Sequence, residues 1–281
     1  MDPASYQQRR NQVEQYFDRT AFAAWARLTS DAPVSRIRAS VRAGRDRMRS
    51  NMLAALGDDL QGRRILDAGC GTGAMALELA QRGADVLAVD LSSQLIALAK
   101  ERAAQERMNQ EQKAKEHVNK EHVNKEHKAK EHRTREVRTG NILWVAGDML
   151  DASFGHFDHV VAMDSLIHYD ADDMANAVQR LSDRTRLSLH LSFAPRTPML
   201  ALMHAVGRCL PRADRAPSIV PLAAEHIISK LASLDPSRPN KIALGERVSS
   251  GFYISQLLHV LQAQQLQAEQ ACDQAQALRL S

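Results

Sequence analysis

A glycine-rich segment that follows a short apolar run constrains the fold of this chain more than any other feature. The segment, residues 67–73, reads DAGCGTG, and the apolar run covers residues 63–68. Glycines at alternate positions let the backbone approach a ligand closely and adopt conformations that a side chain forbids. Because open α/β sheets bind ligands at the carboxyl ends of their strands, the segment predicts a binding loop in a sheet of that kind.

The acidic residue at the start of this loop distinguishes it from phosphate-binding loops. The glycine spacing differs from G-x-G-x-x-G, and no Lys-Ser/Thr pair follows. The Asp67 carboxylate would repel a phosphate, whereas it could hold the amino or sulfonium end of a cationic ligand. The segment therefore indicates an adenosyl ligand with a cationic group, with a turn formed only for packing as the alternative.

Acidic residues also follow the next three predicted strands. Asp90 ends the second strand, where it can accept hydrogen bonds from the two hydroxyls of a ribose. After the third strand, Asp148 can accept from an exocyclic amine and Met149 offers an apolar surface to a purine. Asp164 closes the fourth strand. An aspartate at a strand end is also a common helix cap or turn former, and for Asp90 or Asp148 alone the two interpretations have equal weight.

Apolar runs of strand length alternate with helical patterns around the loop. Strands are predicted at 63–68, 85–89, 142–146, 157–163 and 187–193, with a closing strand and its continuation over 248–258. Helices are predicted at 35–56, 74–82, 92–102, 171–183, 197–210 and 223–234, and a polar helix or loose tail from Gln256. Such alternation is typical of a parallel sheet covered on both faces. The predicted fold class is α/β, a doubly wound, mostly parallel sheet.

Composition and cysteine content narrow the class of protein and the cellular compartment that we expect. The chain has 281 residues, of which 44% are hydrophobic and 25% charged, and these globular fractions argue against global disorder. No apolar run has the length of a bilayer span, and residues 1–10 show no secretory signal. Cys70, Cys209 and Cys272 are too scattered for a disulfide framework or a zinc cluster. We expect a cytoplasmic protein without a protein-bound metal.

The net charge of +4 comes from one segment. Residues 100–138 contain 12 Lys/Arg and 8 Glu, while the basic and acidic residues of the remaining chain cancel. The pentad KEHVN occurs twice from Lys115, and two looser copies follow. Glutamates four residues before lysines favour a solvated helix, and the lack of apolar spacing also fits a disordered insert. The histidines of the repeat would spiral round a helix without converging on a metal, and the alternating glutamates weaken a nucleic-acid interpretation.

These motifs resemble those of a known family. Residues 67–73, Asp90 and residues 147–149 are similar to the cofactor motifs of class I S-adenosylmethionine-dependent methyltransferases, over about residues 60–195. Further segments are similar to the magnesium-protoporphyrin IX O-methyltransferases of bacteriochlorophyll synthesis in purple bacteria. They are residues 16–22, Trp25, 164–169, 193–198 and 249–253. The pentad insert and the Gln-rich tail depart from the family's pattern.

The resemblance implies a Rossmann-like sheet of seven strands that binds S-adenosylmethionine and releases S-adenosylhomocysteine. It implies cofactor contacts from Asp67, Gly69, Cys70, Gly71, Gly73, Asp90, Leu91, Asp148, Met149 and Asp164. Helices in residues 1–60 would cover the active site, and residues 61–281 would form the core. That core would include the insert at 104–138, a substrate-covering segment at 195–240 and the tail at 262–281.

The activity that the resemblance implies is esterification of one propionate of magnesium protoporphyrin IX to the monomethyl ester. A propionate has a pKa of about 4–5 and is ionised near neutral pH, so it needs orientation rather than a strong base. His168 is the first candidate to orient or deprotonate the carboxyl, with a structural histidine as the alternative. Tyr16 is the second candidate, and an aromatic anchor for the N-terminal helix is an equal alternative.

A planar tetrapyrrole needs an apolar slot with a cationic rim. Residues 199–203 (MLALM) could form a wall, or ordinary core, and Arg196 or Arg36 and Arg38 could form the rim. The same apolar stretch could dock peripherally on the photosynthetic membrane, and the porphyrin-binding subunit of magnesium chelatase is the partner to consider. Two other functions stay open. One is methylation of another small carboxylic or aromatic substrate, and the other is a non-catalytic adenosyl-binding scaffold that contacts RNA or protein through the repeat.

Overall fold

The computed structural model describes residues 3–30, 33–124, 139–197, 219–234 and 240–263. The strands are β1 (Arg64–Ala68), β2 (Asp85–Asp90), β3 (Ile142–Ala146), β4 (Phe157–Ala162), β5 (Thr185–Phe193), β6 (Lys241–Ser250) and β7 (Tyr253–Leu261). The α-helices are α1 (Pro3–Gln15), α2 (Phe22–Leu28), α3 (Arg36–Leu56), α4 (Ala74–Gln81), α5 (Ser93–Asn124), α6 (Ala171–Ser182) and α7 (Ala224–Leu234). A π-helical segment, Tyr16–Ala21, joins α1 to α2.

The strands form one sheet in the order β3-β2-β1-β4-β5-β7-β6. Strands β1 to β5 are parallel, whereas β7 pairs antiparallel with β5 and β6. The order reverses between β1 and β4, and the carboxyl ends of strands at such a switch point form the crevice where open sheets bind ligands. The doubly wound, mostly parallel, seven-stranded sheet is confirmed.

Both faces of the sheet are buried, which explains why its central strands read as continuous apolar runs. On one face Leu66 packs in a cluster with Met174 of α6 and Ile227 of α7. On the other face Ile65 packs in a cluster with Met48 of α3. All five side chains are fully buried, and each contributes on the order of 2 kcal/mol through removal of apolar surface from water.

Residues 248–258, predicted as one closing strand and its continuation, are strand residues interrupted by a turn, because this part of the chain is a hairpin. Strands β6 and β7 meet at a turn where Gly251 has a φ of +58°. Gln256, the predicted start of a polar tail, lies inside β7 opposite Phe193 of β5. Its side chain donates to the carbonyl of Gly245 at 2.7 Å. A buried glutamine that hydrogen-bonds across the sheet gives no apolar signal, so the strand pattern was hidden.

Helix α5 extends into the pentad repeat, as expected, and is described as far as Asn124. The rest of the repeat, residues 125–138, lies outside the described residues. The same holds for residues 199–203, for most of the predicted helix 197–210, and for residues 264–281 of the tail. Within the part of the chain that the structure describes, no helix is both long and apolar enough to cross a bilayer.

Candidate active site

A cavity of about 540 Å³ lies at the carboxyl ends of β1 to β4. Its floor consists of the glycine-rich loop after β1 and the loops after β2, β3 and β4. Its cover consists of residues from α1, the π-helical segment, α2 and α3. Because parallel strands deliver their following loops to one edge of the sheet, residues far apart in sequence line the same space. The volume is that of a small-molecule pocket.

The glycine-rich loop requires glycine at two positions. Gly69 has a φ of +82°, and a Cβ there would lie 2.3 Å from the Cβ of Ser165. Gly73 has a φ of +85° and precedes α4, and a Cβ there would lie 2.5 Å from Cη2 of Trp144. Gly69, Cys70 and Gly71 line the cavity, whereas Gly73 does not. Gly73 thus packs beside Trp144, and its predicted cofactor contact stays a prediction.

Asp90 joins the glycine-rich loop to the end of β2. Its carboxylate accepts hydrogen bonds from the backbone N–H of Gly71 at 2.8 Å and of Ser92 at 2.9 Å. Burial raises the pKa of Asp90, and these hydrogen bonds oppose the rise. Each oxygen accepts one backbone bond and keeps a lone pair for a ligand hydroxyl. Asp90 thus fixes the turn and lines the cavity with Leu91, and its contact with a ribose stays a prediction.

Asp67 brings a buried carboxylate with an unused oxygen to the cavity. The residue is 1% exposed, and its Oδ2 has no hydrogen-bond partner among the described residues. Burial, together with the nearby charge of Asp90, raises the pKa of Asp67 to about 7. Leaving a buried oxygen without a partner is unfavourable by about 1–3 kcal/mol. The site therefore fits a ligand that places a cationic group against this carboxylate.

Asp148 and Met149 line the cavity at the end of β3, and α1 closes over them. The hydroxyl of Tyr6 donates to Oδ1 of Asp148 at 3.0 Å, and the backbone N–H of Leu150 donates to the same oxygen at 2.8 Å. The ring of Tyr6 stacks on Tyr169 with a centroid separation of 5.2 Å. Oδ2 of Asp148 is left facing Arg10 at 3.9 Å, so an exocyclic amine could still reach this carboxylate.

Asp164 lines the cavity at the end of β4, but other protein groups occupy its carboxylate. Arg45 of α3 contacts it at 2.5 Å, the hydroxyl of Tyr253 donates to it at 3.1 Å, and the hydroxyl of Ser192 donates at 2.9 Å. Asp164 is also the non-glycine residue that has a positive φ, 56°, among the described residues. These contacts hold α3 and β7 against the end of β4. Through its ion pair with Arg45, Asp164 therefore fixes the position of α3 beside the cavity.

His168 and Tyr16 both line the cavity, and the ring of Phe17 lies near both. The ring of Phe17 is 6.2 Å from that of His168 and 5.3 Å from that of Tyr16, centroid to centroid. Trp25 contacts Phe17 edge-on at 5.5 Å. Burial raises the pKa of the Tyr16 phenol, which keeps it protonated as a hydrogen-bond donor. The π-helical geometry, which is frequent at functional sites, aims this aromatic group into the cavity.

The sequence interpretation did not select several residues that line the cavity. Tyr6 and three arginines of α3, Arg42, Arg45 and Arg49, are the clearest cases. A signal for the arginines exists, because positions 38, 42, 45 and 49 fall on one helix face. Tyr6 gives no signal, since its partners are far away in sequence. In the described residues, no group of three or more His, Cys, Asp or Glu side chains has the arrangement of a metal site.

Comparison with known proteins identifies the family to which the chain belongs. The family model "Methyltransferase domain" matches residues 41–205, and "Magnesium-protoporphyrin IX methyltransferase C-terminus" matches residues 162–262. The magnesium-protoporphyrin O-methyltransferase of Rhodobacter capsulatus is 42% identical over 257 residues, which cover 91% of this chain and 98% of that protein. The chain belongs to the magnesium-protoporphyrin O-methyltransferase family. The family's member from Synechocystis is 26% identical over 89% of this chain and 95% of its own length.

A solved structure supports the same fold. The crystal structure of magnesium protoporphyrin IX methyltransferase from Synechocystis PCC 6803 with bound SAH has a TM-score of 0.69 and 24% identity. The match covers 91% of this chain and 100% of that chain. The fold that the two proteins share therefore extends over most of the chain.

Proposed function

We propose that the protein transfers the methyl group of S-adenosylmethionine to one propionate carboxylate of magnesium protoporphyrin IX and releases the monomethyl ester. One observation carries the proposal. In a chain of this family, one cavity is lined both by the glycine-rich loop with Asp67 and Asp90 and by Tyr16 and His168. A cofactor half and an acceptor half thus share one space.

The residues of the cofactor half suit S-adenosylmethionine. The unused oxygen of Asp67 would hold the ammonium group, Asp90 would accept from the ribose hydroxyls, and Asp148 with Met149 would receive the adenine. When bound, the cofactor supplies a methyl group that is activated by its sulfonium. Gly69 and Gly71 let the backbone approach without a side chain between protein and ligand.

The residues of the acceptor half need to orient a nucleophile that is already charged. A propionate is ionised near neutral pH, so attack on a methyl group requires no strong base. Alignment of reacting atoms can supply as much as about 7–11 kcal/mol. We assign His168 to hold one carboxylate oxygen by a donated hydrogen bond and the Tyr16 phenol to hold the other. The cover formed by α1, α2 and α3 would exclude water from the aligned atoms.

The assay that tests this function uses the purified chain, S-adenosylmethionine labelled in its methyl group, and magnesium protoporphyrin IX. We expect label in an ester that mild alkali releases. No ester above background would overturn the proposed acceptor. Parallel reactions with small carboxylic and phenolic acceptors test the alternative substrates. Ubiquinone biosynthesis O-methyltransferases, which match 19–20% of this chain, are the reason to include these acceptors.

We also propose that the protein works in the cytoplasm, contacts the photosynthetic membrane peripherally, and receives its porphyrin from the porphyrin-binding subunit of magnesium chelatase. Among the exposed apolar side chains of the described residues, Ile37 at 54% and Phe252 at 48% support a surface contact. Flotation with anionic vesicles tests the membrane contact, and co-elution with the purified chelatase subunit tests the partner. Absence of flotation or of co-elution contradicts the respective proposal.

A further inference from the structure

Helix α3 directs a row of four arginines at the cavity. Arg38, Arg42, Arg45 and Arg49 all line it, and their spacing of four, three and four residues places them on one face of the helix. Four like charges along one wall of a cavity are unfavourable unless each has an anionic or carbonyl partner. The partner of each guanidinium therefore indicates its role.

Three of the four hold other parts of the protein. Arg42 donates to the carbonyls of Leu28 at 2.9 Å and Arg27 at 3.0 Å, Arg45 pairs with Asp164 at 2.5 Å and lies over Trp25, and Arg49 pairs with Glu78 at 2.6 Å and Asp46 at 3.0 Å. These contacts fix α2, the end of β4 and α4 against α3. Their guanidinium groups serve the architecture of the cover.

Arg38 differs from the other three. Its side chain is exposed, and its guanidinium makes no hydrogen bond or ion pair with any described residue. Its backbone N–H alone is engaged, through the helix cap at Ser35. The other rim candidates, Arg36 and Arg196, are not among the cavity-lining residues, and no lysine is. Among the described arginines that line the cavity, Arg38 is thus the one whose guanidinium is not bonded to another described protein group.

We propose, on the basis of the proposed function, that Arg38 binds the propionate of the porphyrin that is not methylated. Protoporphyrin IX carries two propionates on neighbouring pyrrole rings, and one remains a carboxylate throughout the reaction. A guanidinium can pair with it through two parallel hydrogen bonds. Arg38 lies seven residues before Arg45, so it stands roughly 10 Å farther along the helix axis from the Asp164 end of the site. That offset separates the retained carboxylate from the one near His168.

This contact gives the enzyme a reason to stop after one ester. For the monomethyl ester to accept a second methyl group, its free carboxylate would have to occupy the reaction position. Its ester would then face Arg38, which would lose a charged partner. The second carboxylate of the diacid pairs with Arg38, whereas the ester group of the monoester in that orientation cannot form an ion pair. Arg38 is therefore a specificity-determining residue for the diacid over the monoester.

The test compares the diacid and the monomethyl ester as methyl acceptors in the wild type, Arg38→Ala and Arg38→Lys. We expect Arg38→Ala to lower kcat/KM for the diacid about tenfold, mainly through KM, and to leave that for the monoester unchanged. The ratio of the two kcat/KM values should fall about tenfold. Arg38→Lys should keep part of the preference, since it retains the charge but not the paired donors.

Arg36→Ala is the matched control, because it removes an exposed arginine of the same helix that does not line the cavity. An unchanged ratio in Arg38→Ala, or an equal loss for both acceptors, would overturn the inference while the proposed function stands. A wild type that forms no ester would overturn the proposed function and this inference together. Titration of tryptophan fluorescence adds a binding readout, since Trp25 lies in the cavity. In this titration the wild type should bind the diacid with a lower Kd than the dimethyl ester, and Arg38→Ala should bind the two with similar Kd values.

Discussion

His168 has the most direct proposed role in methyl transfer at the scale of single residues. Replacing it with Ala should lower kcat about 10- to 100-fold, because loss of one hydrogen bond to a charged group amounts to roughly 1.5–3 kcal/mol. The Kd for S-adenosylmethionine, measured by titration calorimetry, should not change. His226→Ala, at an exposed position of α7, is the control. Wild-type turnover in the His168 variant would remove this residue from the mechanism.

Tyr16 can be separated from a purely structural role by removing only its hydroxyl. Tyr16→Phe should keep the edge-on contact with Phe17 and lose the proposed hydrogen bond to the propionate. We expect kcat for the porphyrin to fall roughly tenfold, with unchanged thermal stability. Steady-state kinetics with both substrates provide the measurement. An equal weakening of porphyrin and cofactor binding would identify Tyr16 instead as part of the cover.

Asp67 should make cofactor binding depend on pH. Its pKa is about 7 without ligand, and a cationic group beside the carboxylate would lower that pKa. The Kd for S-adenosylmethionine should therefore be lowest above pH 7 and rise as the pH falls below 7, by at most about tenfold per pH unit. Calorimetry at pH 6, 7 and 8 measures this. Asp67→Asn should bind more weakly with a flat profile, and a pH-dependent Kd that persists in this variant would contradict the assignment.

The sequence predicts the residues of the cofactor half better than the contacts they make. Asp67, Asp90, Asp148 and Asp164 all reach the cavity because strand ends of a parallel sheet share one edge. Which carboxylates remain available depends on partners distant in sequence. The commitment of Asp164 to Arg45 could not be seen without the packing of α3 against β4.

At the scale of elements, a buried chain of polar side chains crosses β4, β5 and β7. Nδ1 of His159 lies 2.7 Å from the hydroxyl of Ser188, which lies 2.8 Å from Nε2 of His190. Nδ1 of His190 is 2.6 Å from Nδ1 of His259. Burial lowers the pKa of His159 to about 4 and that of His190 to about 3. Both imidazoles are therefore neutral in the folded protein.

This chain of histidines predicts loss of stability in mild acid. The unfolded chain binds protons at His159 and His190 below a pKa of about 6.5, whereas the folded chain does not until far lower pH. Their contribution is thus complete above pH 6.5 and is lost as the pH falls toward 4, at up to about 1.4 kcal/mol per pH unit for each histidine. Urea unfolding at pH 7.5, 6.5 and 5.5 measures it. His159→Gln should reduce the slope, and a flat profile in the wild type would refute the prediction.

Strands and helices were predictable where packing in or against the sheet imposes a regular apolar pattern on the sequence. Strands β1 to β5 and helices α3, α4 and α6 lie within a few residues of their predicted positions, because both sheet faces are apolar and the helices between them are amphipathic. The β6–β7 hairpin was not predicted. Its strands carry polar residues such as Gln256 and Arg247, which pair with each other across the hairpin at 2.9 Å, and pairing of this kind leaves no periodic apolar signal.

At the scale of the whole molecule, helix α5 is much longer than the sheet strands beside it. Helix α5 has 32 residues and spans about 48 Å, whereas a six-residue strand spans about 20 Å. Replacing residues 104–138 with a short Gly-Ser linker should therefore leave kcat within about twofold of the wild type, as measured in the ester assay. Arg102 must be retained, because it donates to the carbonyls of Thr29 and Ala26 in the cover.

The deletion also tests the scaffold alternative. If the repeat contacts RNA, filter binding of labelled RNA should be present in the full chain, fall with salt, and disappear in the deleted protein. We expect no difference between the two proteins, since glutamates alternate with the basic residues. An activity that depended on residues 104–138 would show instead that the insert takes part in the reaction.

The direction in which α5 leaves the sheet has a practical consequence. The helix starts at the carboxyl end of β2, next to the cavity, and its described part leads away from that end of the sheet as far as Asn124. A fluorescent protein, a surface tether or a second enzyme of the route could be fused in the repeat without blocking the entrance to the cavity. The repeat thus marks a natural attachment point for oriented immobilisation of the catalyst.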